Sequence, residues 1–160
     1  MSAGYEHAPQ DSSLYAKWVE AGAAFQAGAL PAIVRIGNAS TDGTLTIRRD
    51  NSSGDGRYEA AIQKDGAQIG VVEPSAVVAM DDEVEFLVTM SYDPVAEEIT
   101  LSAHISVNGA PIVSASTTIS DSYPSAYTGE VIEFGLLGAT KILDVWQDRG
   151  VRTMPEMRAA

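Results

Sequence analysis

The chain has 160 residues, no cysteine and a formal net charge of −12 at pH 7, and this length suits one domain with an adequate hydrophobic core. The negative charge argues against binding to nucleic acid or to an anionic membrane surface, because both need a basic face. The lack of cysteine excludes disulfides and thiolate metal sites, and no apolar run approaches the roughly 20 residues that span a bilayer.

Residues 1–13 are small and polar, contain one proline and show no periodicity. We therefore predict an N-terminal arm, followed by a single domain at residues 14–160. The arm lacks the basic and apolar segments of a signal peptide. We expect it to contact its own domain or a neighbouring chain.

Short runs in which apolar and polar residues alternate follow one another along the domain, separated by turn-forming residues. This pattern predicts β-strands. Turn signals such as Asp42-Gly43 and Asn108-Gly109 predict tight hairpins, while residues 21–29 and 121–129 are predicted loops. The predicted strands are residues 14–20, 32–37, 44–49, 57–64, 84–92, 99–108, 112–120, 130–136 and 141–147, with short strands or edges at 68–72 and 75–80.

The stretch at residues 83–108 organises the predicted fold. Its first strand places Val84, Phe86, Val88, Met90 and Tyr92 on one face, with Leu87 as an apolar exception on the polar face. Asp93-Pro94 predicts a reversal of the chain, after which a second alternating strand pairs back as an antiparallel hairpin. Because a two-stranded hairpin is not stable alone, further strands and a second layer must cover its apolar face.

Many short strands with frequent turn signals predict an all-β fold, a two-sheet antiparallel β-sandwich with minimal helix. The one predicted helical turn lies at the C-terminus, where Thr153 and Glu156 have the spacing of a capping box.

Five segments in order carry a resemblance to a known family: LYAKWVEAG, IVRIGNASTDGTLTIRRD, EVEFLVTMSYDP, LSAHISVNGAPIVSAS and FGLLGATKILDVWQDRGVRTMPEM. Across residues 14–157 the chain resembles the laminin-G-like, concanavalin-A-like jelly rolls, especially the single-domain versions in bacteriophage tail and virion proteins. The resemblance implies carbohydrate binding or a structural place on a particle surface. Such folds host many unrelated functions, so the fold alone does not name one.

Paired carboxylates would indicate a catalytic site, because glycosidases occur on the fold that the resemblance implies and retaining enzymes need two carboxyl groups about 5–5.5 Å apart. Glu83 and Glu85 lie at a strand entry, a position that is usually solvated. Glu130 and Glu133 are three residues apart, which places them on opposite faces of a strand. Neither pair predicts a catalytic site.

The two histidines, His7 in the arm and His104 on the polar face of a strand, lack the spacing of a zinc site. No G-x-S-x-G nucleophile motif occurs. Related jelly rolls often bind calcium through loop oxygens, but turn formation is the commoner role of loop aspartates. We therefore predict no metal and no cofactor; the calcium candidates would be Asp42, Asp50, Asp55 and Asp121.

Sugar binding would use an aromatic platform beside polar groups. The predicted ligand-binding residues are Asp121, Tyr123 and Tyr127 in the long loop, followed by Tyr92 at a strand end. Loop tyrosines are also common as anchors at interfaces with protein partners. Trp18 and Trp146 lie within alternating strands and are predicted core residues.

These observations predict a non-enzymatic structural or binding protein of a phage virion, a head or tail decoration or spike that also contacts host surface glycans. The alternative is a carbohydrate-binding, lectin-like module, and a glycan hydrolase or lyase on the same fold comes third. The expected partners are other virion proteins through residues 1–13, further copies of the chain and a cell-surface glycan.

Overall fold

A computed structural model describes residues 11–20, 32–38, 43–50, 56–64, 66–121, 132–134 and 141–159. These residues form ten β-strands and one short α-helix. The elements are β1 (Ser12–Val19), β2 (Ala32–Asn38), β3 (Gly43–Asp50), β4 (Arg57–Lys64), β5 (Ala67–Val72), β6 (Glu83–Asp93), β7 (Glu98–Val107), β8 (Val113–Ser120), β9 (Ile132–Phe134), β10 (Lys141–Arg149) and α1 (Met154–Arg158).

The strands form two antiparallel sheets of five strands each. Sheet A has the order β10-β1-β6-β7-β8, and sheet B has the order β5-β4-β3-β2-β9. Each sheet turns an apolar face inward, and one continuous cluster of buried apolar side chains lies between them. The predicted fold class, a two-sheet antiparallel β-sandwich with minimal helix, is confirmed.

The hairpin of β6 and β7 is the central pair of sheet A, running from Val84 opposite Val107 to Asp93 opposite Glu98. At its turn the Asp93 carboxylate accepts hydrogen bonds from the backbone N–H groups of Val95 and Ala96, which lower the pKa of Asp93. The turn predicted before β8 is also present. Its residues Asn108 and Gly109 have φ angles of 51° and 72°, as in the tight turns that favour this dipeptide.

Aromatic rings join the two sheets in the core. Trp18 of β1 lies edge-on to Tyr58 of β4, with ring centroids 4.9 Å apart, and contacts Phe86 of β6 at 6.4 Å. All three side chains are fully buried. The prediction that Trp18 belongs to the core is therefore confirmed.

A second, smaller apolar cluster explains the exception at Leu87. Helix α1 lies on the outer face of sheet A, where its Met154 and Met157 pack against Leu87 and Tyr15. The helix begins with the predicted capping box at Thr153, whose side chain accepts from the backbone N–H of the third helical residue. The alternation of β6 places Leu87 on the outer face, and this helix covers its side chain there.

Two predictions about strands are wrong. Residues 75–80 form only an isolated bridge between Val77 and Arg57 rather than a strand. Trp146 is not a core residue, since it lies opposite Tyr15 on the outer face of sheet A and is 43% exposed. The reason is a register shift between β1 and β10, which reverses the faces of the residues that follow it.

Several predictions fall on residues outside those described. These include most of the arm at residues 1–13, the loop at 21–29 and the loop that contains Tyr123 and Tyr127. Strand β1 begins at Ser12, within the predicted arm. The one described helix is too short to cross a membrane.

Candidate functional site

The outer face of sheet B carries a set of polar side chains from three adjacent strands. Strand β3 alternates, so that Leu45 and Ile47 enter the core while the residues between them face outward. The register places Arg48 opposite Glu59 and Gln63 opposite Gln68. We call this set the polar face; it consists of Thr44, Thr46 and Arg48 from β3, Glu59 and Gln63 from β4, and Gln68 from β5.

Arg48 is the centre of the polar face. Its Nε donates to the Glu59 carboxylate at 2.5 Å, and its Nη2 donates to the side-chain oxygen of Gln68 at 2.5 Å. A guanidinium group is planar and holds its donors at fixed angles, so these two bonds fix its plane across three strands. Four residues earlier in β3, the Thr44 hydroxyl donates to the side-chain oxygen of Gln63 at 3.2 Å.

Most of the polar face is shielded from solvent, and its accessible side lies at β5. Thr46, Glu59 and Ala61 are buried although they lie on the outer face of the sheet. Gln68, on the edge strand β5, is exposed, and Gln63 is half-buried. Hydrogen bonds made in such a half-buried, low-dielectric position are stronger than those made in open water.

Three carboxylates meet at one end of the polar face. Oxygen atoms of Asp50, Glu59 and Glu73 all lie within 4.8 Å of one another. Burial raises the pKa of Glu73, and contact with Asp50 raises it further, against a hydrogen bond from Arg57 at 3.3 Å. Two of the three carboxylates are thus bound by arginines, which is the arrangement of an ion-pair network.

The calcium candidates do not converge in the described part of the chain. Asp50 belongs to the ion-pair network, whereas Asp121 accepts a hydrogen bond from Lys64 Nζ at 2.7 Å. That ion pair joins the end of β4 in sheet B to the residue after β8 in sheet A. Asp42 and Asp55 lie outside the described residues.

The predicted sugar-binding residues are only partly described. Asp121 is half-buried and held by Lys64. Tyr92 is half-buried and packs against the core cluster from the end of β6. Tyr123 and Tyr127 lie outside the described residues, so the predicted constellation around them stays a prediction.

The first pair of candidate catalytic carboxylates is engaged in two separate ion pairs. Glu83 is exposed and binds Lys17 at 2.8 Å. Glu85 is buried, so the expectation of a solvated position is wrong for it. The reason is α1, whose Arg158 donates two hydrogen bonds to Glu85, while the Tyr15 hydroxyl donates a third.

The second pair lies beyond what is described: Glu130 falls outside the described residues, and of Glu133 only the backbone, in β9, is described. Of the two histidines, His7 also lies outside them. His104 lies on the outer face of sheet A, where its Nδ1 is 2.7 Å from the Ser114 hydroxyl. Burial lowers the pKa of His104, so the ring is neutral near pH 7.

No protein-family model matches the sequence, and a search of curated proteins gives no match either. Solved structures do match. A native heptameric SAP-like pentraxin from Limulus polyphemus has a TM-score of 0.57 at 9% identity, covering 96% of this chain and 74% of the pentraxin. The fold is a concanavalin-A-like jelly roll.

Two further structures match with lower scores. Galectin LEC-6 from Caenorhabditis elegans has a TM-score of 0.48 at 12% identity, with 88% of this chain and 84% of the galectin covered. CG-16, a homodimeric agglutinin from chicken liver, has a TM-score of 0.40 at 12% identity, with 89% of this chain and 94% of the agglutinin covered.

Proposed function

We propose that the protein is a non-enzymatic carbohydrate-binding domain and that the polar face of sheet B holds the sugar. The observation that carries the proposal is the network in which Arg48 binds both Glu59 and Gln68. It presents oriented donors and acceptors side by side on the outer surface of a sheet. This function was the alternative to the virion role in the interpretation of the sequence.

The chemistry of the polar face fits the hydroxyl groups of a sugar. Each hydroxyl both donates and accepts, and the face offers guanidinium and amide N–H donors next to carboxylate and amide oxygens. Hydrogen bonds to charged groups such as Arg48 and Glu59 contribute about 1.5–3 kcal/mol each. A few of them, arranged in one plane, give both affinity and specificity for the orientation of the hydroxyls.

The charges of the face favour neutral sugars over acidic ones. The positive charge of Arg48 is balanced by Glu59, and the further carboxylates of Asp50 and Glu73 lie within 4.8 Å of Glu59. An anionic sugar would meet this excess of negative charge at close range. We therefore expect uncharged hexoses rather than sialic or uronic acids.

The non-enzymatic part of the proposal is supported by the ion pairs that two carboxylates at the polar face make. Glu59 is bound by Arg48 and Glu73 by Arg57. A glycosidase needs two carboxyl groups that can reach the scissile bond of the sugar, whereas the carboxylates of Glu59 and Glu73 are each engaged by an arginine.

A glycan array that contains neutral and acidic glycans tests the proposal. We expect clear binding to neutral glycans, a loss of 10-fold or more in affinity for Arg48→Met, and a smaller loss for Gln68→Ala. Thr100→Ala is the matched control, since Thr100 is an exposed polar residue on the outer face of sheet A. Binding to no glycan, or binding that Arg48→Met leaves unchanged in a folded protein, would contradict the proposal.

The narrower proposal is that this domain acts on the surface of a phage particle and docks there through residues 1–13. Its support is the resemblance of the sequence to domains of virion proteins. Sedimentation of purified particles tests it: the full-length protein should co-sediment with the particle, and a protein that lacks residues 1–10 should remain in the supernatant. A full-length protein that remains in the supernatant contradicts it.

A further inference from the structure

One long segment of this acidic chain contains no charged residue. Residues 99–120 contain no lysine, arginine, aspartate or glutamate, in a chain where 20% of residues are charged and the net charge is −12. The segment forms β7 from Ile99 onward, the turn at Asn108 and all of β8. Two copies of so acidic a chain repel each other over most of their surface, and this segment is where they can meet at the least electrostatic cost.

Among the described strands, β8 is the edge of sheet A, and its own sequence lacks the residues that usually protect an edge. Natural proteins protect exposed edge strands with lysine, proline or bulges. The sequence of β8, VSASTTIS, contains no charged residue and no proline, and its pairing with β7 runs without a register shift. The strand is therefore competent to pair with another strand on the side away from β7, where no described strand lies.

The inward side chains of β8 are incompletely covered. Val113, Ala115 and Thr117 are only half-buried, whereas the inward residues of the neighbouring strand β7, such as Leu101 and Ala103, are fully buried. The adjacent Ile112 is 40% exposed. A further strand alongside β8 would remove this apolar surface from water.

We infer that β8 pairs antiparallel with β8 of a second copy about a two-fold axis, so that two copies of sheet A become one continuous sheet. The sequence of β8 is self-complementary in this arrangement. With Ser116 on the axis, Val113 lies opposite Ile119, Ala115 lies opposite Thr117, and Ser114 lies opposite Thr118. Residues that face each other across antiparallel strands point to the same side of the sheet, so Val113 meets Ile119 and Ala115 meets Thr117 on the inner face, while the hydroxyls of Ser114, Ser116 and Thr118 meet on the outer face.

A single cysteine tests this register, because the chain has none of its own. In the dimer the two copies of position 116 are directly opposite, with Cα atoms about 4.5–5.5 Å apart, which lies within the range of about 4.4–6.8 Å that a disulfide spans. We expect Ser116→Cys to give a covalent dimer within minutes of adding diamide. Val95→Cys is the control; Val95 is 93% exposed in the turn between β6 and β7 and should cross-link far more slowly.

Analytical ultracentrifugation supplies an independent readout. We expect the wild-type protein to sediment at twice the monomer mass of 16.9 kDa. Ser116→Lys places two positive charges opposite each other on the axis and should halve that mass, whereas Val95→Lys, with the same change of charge, should leave it unchanged.

The inference is overturned if the wild-type protein sediments as a monomer at its highest soluble concentration and Ser116→Cys cross-links no faster than Val95→Cys. It is also overturned by a dimer that a folded Ser116→Lys variant leaves intact. Should Ser116→Lys fail to fold, as judged by circular dichroism, the cysteine experiment decides on its own.

Discussion

Two neighbouring arginines of β3, Arg48 and Arg49, each bind a glutamate, but on opposite sides of sheet B. Arg49 points into the sandwich and binds Glu20 at 3.1 Å, with both side chains 0% exposed. Arg48 points outward to Glu59, and both of those side chains are 11% exposed. The comparison shows that the twofold periodicity of a strand gives consecutive, chemically identical side chains different roles.

The inner pair is built into the core. The Glu20 carboxylate also accepts hydrogen bonds from the Tyr58 hydroxyl and from Trp18 Nε1, and the Arg49 guanidinium lies 5.8 Å from the centre of the Tyr58 ring. Gly56 makes room for it, because a Cβ there would lie 2.7 Å from Arg49 Nη2. The inner pair is fully enclosed by the protein, whereas the surroundings of the outer pair include an exposed side at Gln68.

Breaking the inner pair should produce the largest effect. Arg49→Met leaves the Glu20 charge buried without its partner, so we expect a loss of about 3–5 kcal/mol in the free energy of unfolding. The double variant Arg49→Met with Glu20→Gln removes both charges and keeps an acceptor for Tyr58. Urea denaturation should show that it recovers most of the loss.

The same two variants also test whether the loss of stability has another cause, namely lost packing. If the double variant is as unstable as Arg49→Met alone, the cost comes from lost packing of the arginine side chain rather than from an unpaired charge.

The outer pair should contribute less to stability. A double-mutant cycle with Arg48→Met and Glu59→Gln isolates the coupling energy. We expect about 1–2 kcal/mol, between the ~0.2–1 kcal/mol of exposed pairs and the several kcal/mol of fully buried ones. A coupling as large as that of Arg49 and Glu20 would show that the polar face is part of the core and would remove the distinction between the two sides of the sheet.

The strands could be predicted because their signals are local. Alternation over a few residues identified β6 and β7, turn residues identified the hairpins, and the spacing of Thr153 and Glu156 identified α1. In each case the residues that form the sequence pattern are also the ones that form the strand, turn or helix cap. These elements can therefore be predicted without knowing which distant residues pack against them.

The errors arose where a distant element or a shift in register decides the environment. Glu85 is buried because Arg158, far along the chain, covers it. Trp146 faces outward because one irregularity in the pairing of β1 with β10 reverses its face. The network of Arg48, which needs the register of three strands, could not be predicted from the alternation in β3 that places Arg48 outward.

Arg158 and Glu85 form a third arginine–glutamate pair, which lies at a more exposed position. Breaking it should lower the free energy of unfolding least of the three. The side chains are 41% and 10% exposed. Because the Arg158 side chain is partly exposed to solvent, we expect Arg158→Ala to lower the free energy of unfolding by about 1 kcal/mol at pH 7, at the upper end for exposed pairs because the contact is bidentate. The exposed pair of Arg152 and Asp148 provides the control, and Arg152→Ala should cost less.

The pH dependence of the same variant tests the electrostatic origin of the effect. Burial alone would raise the pKa of Glu85, but the hydrogen bonds from Arg158 and Tyr15 outweigh it and lower that pKa. A carboxylate with a lowered pKa stabilises the fold above its unfolded pKa of about 4.3, and this contribution is lost as the pH falls through the folded value. In urea denaturation the difference between wild type and Arg158→Ala should therefore be constant from pH 7 to about pH 5 and shrink towards zero below about pH 4. A difference that persists undiminished in acid would instead assign the effect to packing of the Arg158 side chain over sheet A.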